Sequence, residues 1–258
     1  MVKIIFLDID GTLFSFNTQS IPVSAKKAIE QLRRKGIKLI IATGRALCDI
    51  NNLEGIPFDG IIASNGALCV NSSGEIIDQH YISKDNLRKL AKYLEEKPFA
   101  CEFSTNKGNF INFENDMILT LSQLVNIPVP PIDVVSQIIE NDVFQIGAFI
   151  DESTEKELLN DVLTDCESTR WHPIFADFNV KNISKATGID RFLTYFDIGR
   201  EHTMAFGDGG NDISMLKHVA IGVAMGNAGD EVKKAADFVT GAVDEDGIEQ
   251  ALKYFGII

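Results

Sequence analysis

The run from Val2 to Leu7 is apolar almost throughout and stops abruptly at Asp8-Ile9-Asp10-Gly11-Thr12. A strand that is apolar on both sides must be covered on both sides, which is the habit of parallel sheets flanked by helices. The next segments keep that pattern. Pro22 and Ser24 open a helix whose Ala25, Ala28, Ile29 and Leu32 share one face, and Lys35-Gly36 closes it with a basic turn and a glycine. Ile37 to Ala42 is a second buried strand, a short helix starts at Arg45, and Gly60 to Ala63 is a third strand. Strand, helix and strand in alternation predict right-handed parallel crossovers.

The same alternation returns at the other end of the chain. Helices are expected at Ser184 to Phe196, Ile213 to His218, Asp230 to Ala236 and Gly247 to Tyr254. Strands are expected at Thr203 to Phe206, Ala220 to Val223 and Phe238-Val239. The middle reads differently. Strands at Phe99 to Ser104, Asn109 to Phe113, Val143 to Ile150, Glu167 to Trp171 and Phe175 to Val180 alternate in the half-exposed, antiparallel manner. The first two flank Thr105-Asn106-Lys107-Gly108, a hairpin signal. Helices are expected over 85–96, 116–125, 134–140 and 154–163. The expected fold class is α/β: a Rossmann-like, doubly wound parallel core from 1–82 and 181–258, with an α+β module inserted at 83–180.

The 258 residues suffice for a large core plus an insert. With 24 basic against 37 acidic residues the formal charge is −13, which argues against a nucleic-acid partner and against an anionic membrane surface. No stretch approaches the length of a membrane span, and the first apolar run is too short for a secretory segment. Cys48, Cys69, Cys101 and Cys166 form no C-x-x-C pair, so they read as reduced thiols of a cytoplasmic protein. An acidic protein that handles an anion must gather positive charge locally, from a metal, a lysine or helix N-termini.

In an open parallel sheet, ligands bind beyond the carboxyl ends of the strands, and four candidate groups fall there or at a helix start. Asp8 and Asp10 are two apart, so an extended backbone turns both carboxylates to one side. Two such acids repel unless a cation sits with them, and Mg2+ favours carboxylate oxygens. Gly11 frees the backbone to turn and lets its N–H approach an anion. Thr43-Gly44-Arg45 offers a hydroxyl and a helix start to a phosphate oxygen. Lys185 stands in the first turn of a helix, where the macrodipole opposes it, so a phosphate or carboxylate is expected nearby; Lys181 competes for that role. Gly207-Asp208-Gly209-Gly210-Asn211-Asp212 adds two acids and an amide on a glycine-rich turn.

The ordered set DIDGT, TGR, Lys185 and GDGGND resembles the haloacid dehalogenase superfamily of phosphohydrolases. Ser64-Asn65-Gly66-Ala67, the run Asp208 to Leu216 and the stretch Ile221 to Ala228 resemble its Cof-type branch, which carries a large α+β cap where the insert lies here. Within that branch the chain is similar to bacterial sugar-phosphate phosphatases. The resemblance implies a phosphomonoesterase that uses Mg2+ and an aspartyl-phosphate intermediate. Asp8 is then the nucleophile, Asp10 the general acid/base and a metal ligand through its carbonyl, Thr43 the phosphate-binding hydroxyl and Lys185 the motif lysine. Asp208 is a metal ligand, with Asp212 and Asn211 in support. Gly11, Gly44, Arg45, Asn65 and, from the cap, Arg170, Trp171 and His172 are expected around phosphate or substrate, and the cap is expected to close over the site. The implied partner is a small-molecule phosphate ester, and the implied assembly a monomer or weak homo-oligomer.

The motifs leave a phosphotransferase or phosphomutase on the same scaffold open, and a catalytically silent phosphate-binding module as well. A dinucleotide site is disfavoured, because no G-x-G-x-x-G follows the first strand.

Overall fold

A computed structural model describes every residue of the chain except 51, 52, 54, 126, 171, 172 and 174. The chain divides into two compact units, one of Met1–Asp78 with Ser184–Ile258, the other Gln79–Ile183. In chain order the first unit begins with β1 (Ile4–Leu7), α1 (Val23–Arg34), β2 (Lys38–Ala42), β3 (Gly60–Ala63), β4 (Leu68–Asn71) and β5 (Ile76–Gln79), whose last residue belongs to the second unit. The second unit adds α2 (Lys84–Glu96), β6 (Cys101–Thr105), β7 (Gly108–Ile111), α3 (Asp116–Val125), α4 (Val135–Ile138), β8 (Val143–Ala148), α5 (Glu152–Glu157), β9 (Cys166–Thr169) and β10 (Ala176–Val180). The first unit resumes with α6 (Lys185–Phe196), β11 (Thr203–Gly207), α7 (Ile213–His218), β12 (Ile221–Ala224), α8 (Asp230–Ala235), β13 (Phe238–Val239) and α9 (Gly247–Tyr254).

The core sheet runs β13-β12-β11-β1-β2-β3-β4-β5. Its members from β13 to β3 are parallel, and β4 returns antiparallel to β3. Alternation explains why β1 and β2 had to be apolar throughout. Ile5, Leu7, Leu39 and Ile41 face one layer with α1 and α9, while Ile4, Phe6, Ile40 and Ala42 face the other with α6, α7 and α8. Each fully buried Ile, Leu or Phe among them contributes about 1.5–3 kcal/mol relative to exposure.

Register then sets the position of the site. Leu7 pairs with Phe206 on one side and Ile41 on the other, so β1, β2 and β11 end together. Asp8, Thr43 and Asp208 each follow at once. The antiparallel β4 and the edge strand β5 were not expected from sequence. β4 is buried on both faces over four residues, and β5 is largely exposed, so neither carries a clear period.

The second unit is a five-stranded antiparallel sheet in the order β7-β6-β8-β10-β9. Phe103, Ile146 and Phe178 align across it and pack with Leu87, Leu90 and Leu94 of α2 and with Leu158 and Val162. The opposite face is polar. Glu102, Gly147 and Asp177 lie in one row, and Ser104 and Gln145 in the next, where Asn179 donates to Gln145 Oε1 at 3.3 Å. Ser104, Gln145, Asp177 and Asn179 are nonetheless buried. The helix expected over 154–163 begins as α5, capped by the Asp151 carboxylate on the Thr154 N–H, and widens to a π turn at Leu158–Val162. Among the described residues no helix is long and apolar enough to cross a membrane.

Candidate active site

The turn after β1 is tight. Gly11 has φ +78°, and a Cβ there would lie 2.3 Å from Asp208 Oδ2, so only glycine lets the two loops meet this closely. Beyond it, the Ser15 hydroxyl and the Asn17 amide grip the Asp244 carboxylate at 2.5 and 2.6 Å, which fixes the loop that follows.

Asp8, Asp208 and Asp212 bring carboxylate oxygens within 4.8 Å of one another. Lys185 enters this cluster from the start of α6, where the Thr187 hydroxyl accepts the Ser184 N–H at 3.0 Å and caps the first turn. The Lys185 ammonium is wholly buried and donates to Asp8 Oδ1 at 2.7 Å and to Asp212 Oδ1 at 2.6 Å. Burial pushes that ammonium down, but Asp212 and Asp8 more than offset it and hold it above the ordinary lysine value. Lys181, the competitor in the sequence, donates instead to the Thr164 carbonyl in the second unit.

One lysine against three acids leaves an excess of negative charge. Burial and the Asp212 charge hold the Asp8 carboxyl well above its ordinary value, with Lys185 pulling the other way. Burial and Asp212 likewise push Asp208 up to about 7. Buried, oxygen-only donors in charge excess are the chemistry of a hard divalent cation site. Asp212 also has an organising part. Its Oδ2 accepts the Asp208 and Gly209 N–H groups, both at 2.9 Å, while Oδ1 takes Lys185.

Two other strand ends, those of β2 and β3, meet the loop after β11 beside this cluster. Thr43 is buried after β2, and its hydroxyl accepts the Arg45 N–H at 3.1 Å. Asn65, in the left-handed region at φ 54°, follows β3, and its Oδ1 accepts from the Asn211 amide at 2.9 Å. Both amides approach Gly44, where a Cβ would stand 3.3 Å from each. Thr43, Gly44, Asn65 and Asn211 are therefore gathered beyond the carboxyl ends of the strands.

A family model described as haloacid dehalogenase-like hydrolase matches residues 5–252. The chain belongs to that family. The Bacillus subtilis protein YkrA, a phosphatase by name, is 33% identical over 99% of this chain and 98% of its own length. A second Bacillus subtilis relative, the 5-amino-6-(5-phospho-D-ribitylamino)uracil phosphatase YcsE, is 28% identical over 98% of this chain and 96% of its own. Among solved structures, the subclass IIB sugar phosphatase BT4131 superposes with a TM-score of 0.94 at 43% identity, covering all of both chains. BT1666 from Bacteroides thetaiotaomicron gives 0.92 at 42%, over 100% of this chain and 96% of its own. The expected Cof-type phosphatase class and α/β fold are borne out: the protein is a phosphatase of the haloacid dehalogenase-like family.

Within this haloacid dehalogenase-like phosphatase, two arginines expected to meet substrate are engaged elsewhere. The Arg45 guanidinium forks onto Asp10, Nε to Oδ2 at 2.7 Å and Nη2 to Oδ1 at 2.5 Å. Its geometry is that of a bidentate partner for the Asp10 carboxylate. Arg170 binds Glu155 at 2.8 Å and the carbonyls of Ile150 and Pro173, both at 2.9 Å. It braces β9 against α5, which accounts for its three contacts without substrate. Trp171 and His172 lie outside the described residues.

Sequence reasoning missed Thr12 and Asn227. The Thr12 hydroxyl donates to Asp208 Oδ1 at 2.9 Å. The Asn227 amide donates to the Gly11 carbonyl at 2.8 Å and to Asp208 Oδ2 at 3.1 Å. Thr12 stands inside the quoted first motif and Asn227 inside the stretch Ile221 to Ala228, so the signal was present but carried no assigned chemistry.

Proposed function

We propose that the protein is a Mg2+-dependent phosphomonoesterase that acts on small sugar phosphates through an aspartyl phosphate on Asp8. The buried Asp8–Lys185–Asp212 arrangement beside Asp208 is the observation that carries this reading. Asp8, Asp208 and the Asp10 carbonyl would hold the cation, which supplies charge neutralisation and polarises the phosphoryl oxygens. Lys185 holds Asp8 Oδ1, so Asp8 Oδ2 is the attacking oxygen. It forms a bond to phosphorus as the bond to the leaving alkoxide breaks, and Asp10 gives that alkoxide a proton. Asp10 then takes a proton from water as the water oxygen attacks phosphorus, which frees inorganic phosphate and restores Asp8. Thr43, Asn65 and Asn211 surround the phosphoryl oxygens.

The Arg45 fork occupies both Asp10 oxygens. It holds Asp10 in position, and one of its two contacts gives way when Asp10 carries the proton.

The sugar class rests on likeness to BT4131, a sugar phosphatase at 43% identity. The second unit is proposed as the specificity cap. Its polar sheet face of Glu102, Ser104, Gln145, Asp177 and Asn179 offers the acceptors and amides that match hydroxyls. Buried thiols at Cys69, Cys101 and Cys166, with no disulfide among them, are consistent with action in the cytoplasm on free metabolites.

The test is phosphate release from a panel of phosphorylated metabolites, with and without Mg2+, beside Asp8→Asn. Metal-dependent release with preference for hexose or pentose phosphates, abolished in Asp8→Asn, is the expected result. Wild-type rates in that variant would overturn the mechanism.

A further inference from the structure

We infer that Asn227 is a positioning residue for Asp208, holding that carboxylate in the orientation that receives the divalent cation. The inference rests on the reading of the acidic cluster as a metal site.

Asn227 lies in the loop after β12, and its one amide ties four segments. Nδ2 reaches the Gly11 carbonyl at 2.8 Å in the turn after β1, and Asp208 Oδ2 at 3.1 Å in the loop after β11. Oδ1 accepts the Val243 N–H at 2.9 Å, at the start of the 3-10 turn Val243–Glu245. The orientation of the amide is therefore determined. A flipped amide would set its oxygen against two acceptors and its NH2 against a donor, so three contacts would turn repulsive.

The residue is exposed, so core packing does not explain it. What it does have is a share in one carboxylate. Thr12 holds Asp208 Oδ1 at 2.9 Å and Asn227 holds Oδ2, so the carboxylate is pinned at both ends. Each carboxylate oxygen has two lone pairs, which leaves one on each for a cation. A ligand fixed in advance by such outer contacts loses little freedom on binding, and removal of an outer contact costs metal affinity about 10–100-fold.

The experiment is Mn2+ binding to the full-length protein by electron paramagnetic resonance, with wild type, Asn227→Ala, Asn227→Ser and Asp208→Ala. Thermal midpoints in EDTA and in Mg2+ accompany it. Wild type is expected to bind Mn2+ and Asp208→Ala to lose it. Asn227→Ala is expected to stay folded in EDTA while its Kd for Mn2+ rises about tenfold or more, with a smaller Mg2+-induced rise in midpoint. Saturating Mg2+ should then restore most of kcat. Asn227→Ser keeps a hydroxyl for the Val243 N–H and carries the same comparison if alanine costs the fold. A folded Asn227 variant that binds Mn2+ as wild type does would overturn the inference while leaving the metal site intact. Absence of Mn2+ binding in wild type, or equal binding in Asp208→Ala, would remove the metal reading and this inference with it.

Discussion

Asp208 shares the pH behaviour of the site with Asp8, whose carboxyl is also held well above its ordinary value. Burial and Asp212 raise the Asp208 carboxyl from the ordinary 3.8 to about 7 in the folded chain. The folded state therefore holds a proton that the unfolded state has released, and Asp208 costs the metal-free protein stability as pH rises from about 4 to about 7. A divalent cation competes with that proton. The Mg2+-induced rise in thermal midpoint should be larger at about pH 7.5 than at about pH 5, as differential scanning calorimetry will measure; equal rises would contradict the account. Arg45 supplies a second residue-scale prediction. It grips Asp10, and in the proposed mechanism kcat/KM reports events up to phosphoryl transfer, where the Asp10 proton matters only if the leaving group needs one. Arg45→Ala should lower kcat/KM for alkyl phosphates by about tenfold or more, within the 10²–10⁴-fold that general acid catalysis supplies, and for p-nitrophenyl phosphate far less. An equal loss on both substrates would assign Arg45 to phosphate binding instead.

The elements explain why these side chains meet. β1, β2 and β11 stop in register, and each hands its next residue to the site. The turn after β1 has no room for a side chain at Gly11. Gly11→Ala should add about 1–2 kcal/mol of backbone strain and push Asp208 aside, so turnover should fall at least as steeply as Mg2+ affinity. Wild-type Mg2+ affinity in a folded Gly11→Ala protein would show that the two loops can part. These element-level facts were largely legible in the sequence. Buried apolar runs broken by acids or Thr-Gly fixed β1, β2 and β11 and put Asp8, Thr43 and Asp208 at their ends. The antiparallel β4 and edge strand β5 were not legible, because four residues buried on both faces, or mostly exposed, show no period.

At the scale of the molecule, the proposed function divides chemistry and recognition between the two units. The first unit holds the acids and Lys185; the second carries the polar sheet face. Asp177→Asn, a near-isosteric change on that face, should alter KM among sugar phosphates severalfold, with kcat for p-nitrophenyl phosphate close to wild type. A uniform fall in kcat would contradict the division. The contacts that sequence reasoning could not reach are the ones between distant segments: Arg45 on Asp10, Arg170 on Glu155 and Asn227 on Asp208 are 35, 15 and 19 residues apart. A residue's type suggests its chemistry, but its partner is chosen by the fold, so two arginines that looked like anion binders hold carboxylates. The covalent role of Asp8 is the central claim. Acid quench of a single turnover with phosphorus-labelled sugar phosphate, followed by mass mapping, tests it most directly. The account predicts transient label on the peptide that contains Asp8 and none in Asp8→Asn; turnover with no label on that peptide at any quench time would contradict it.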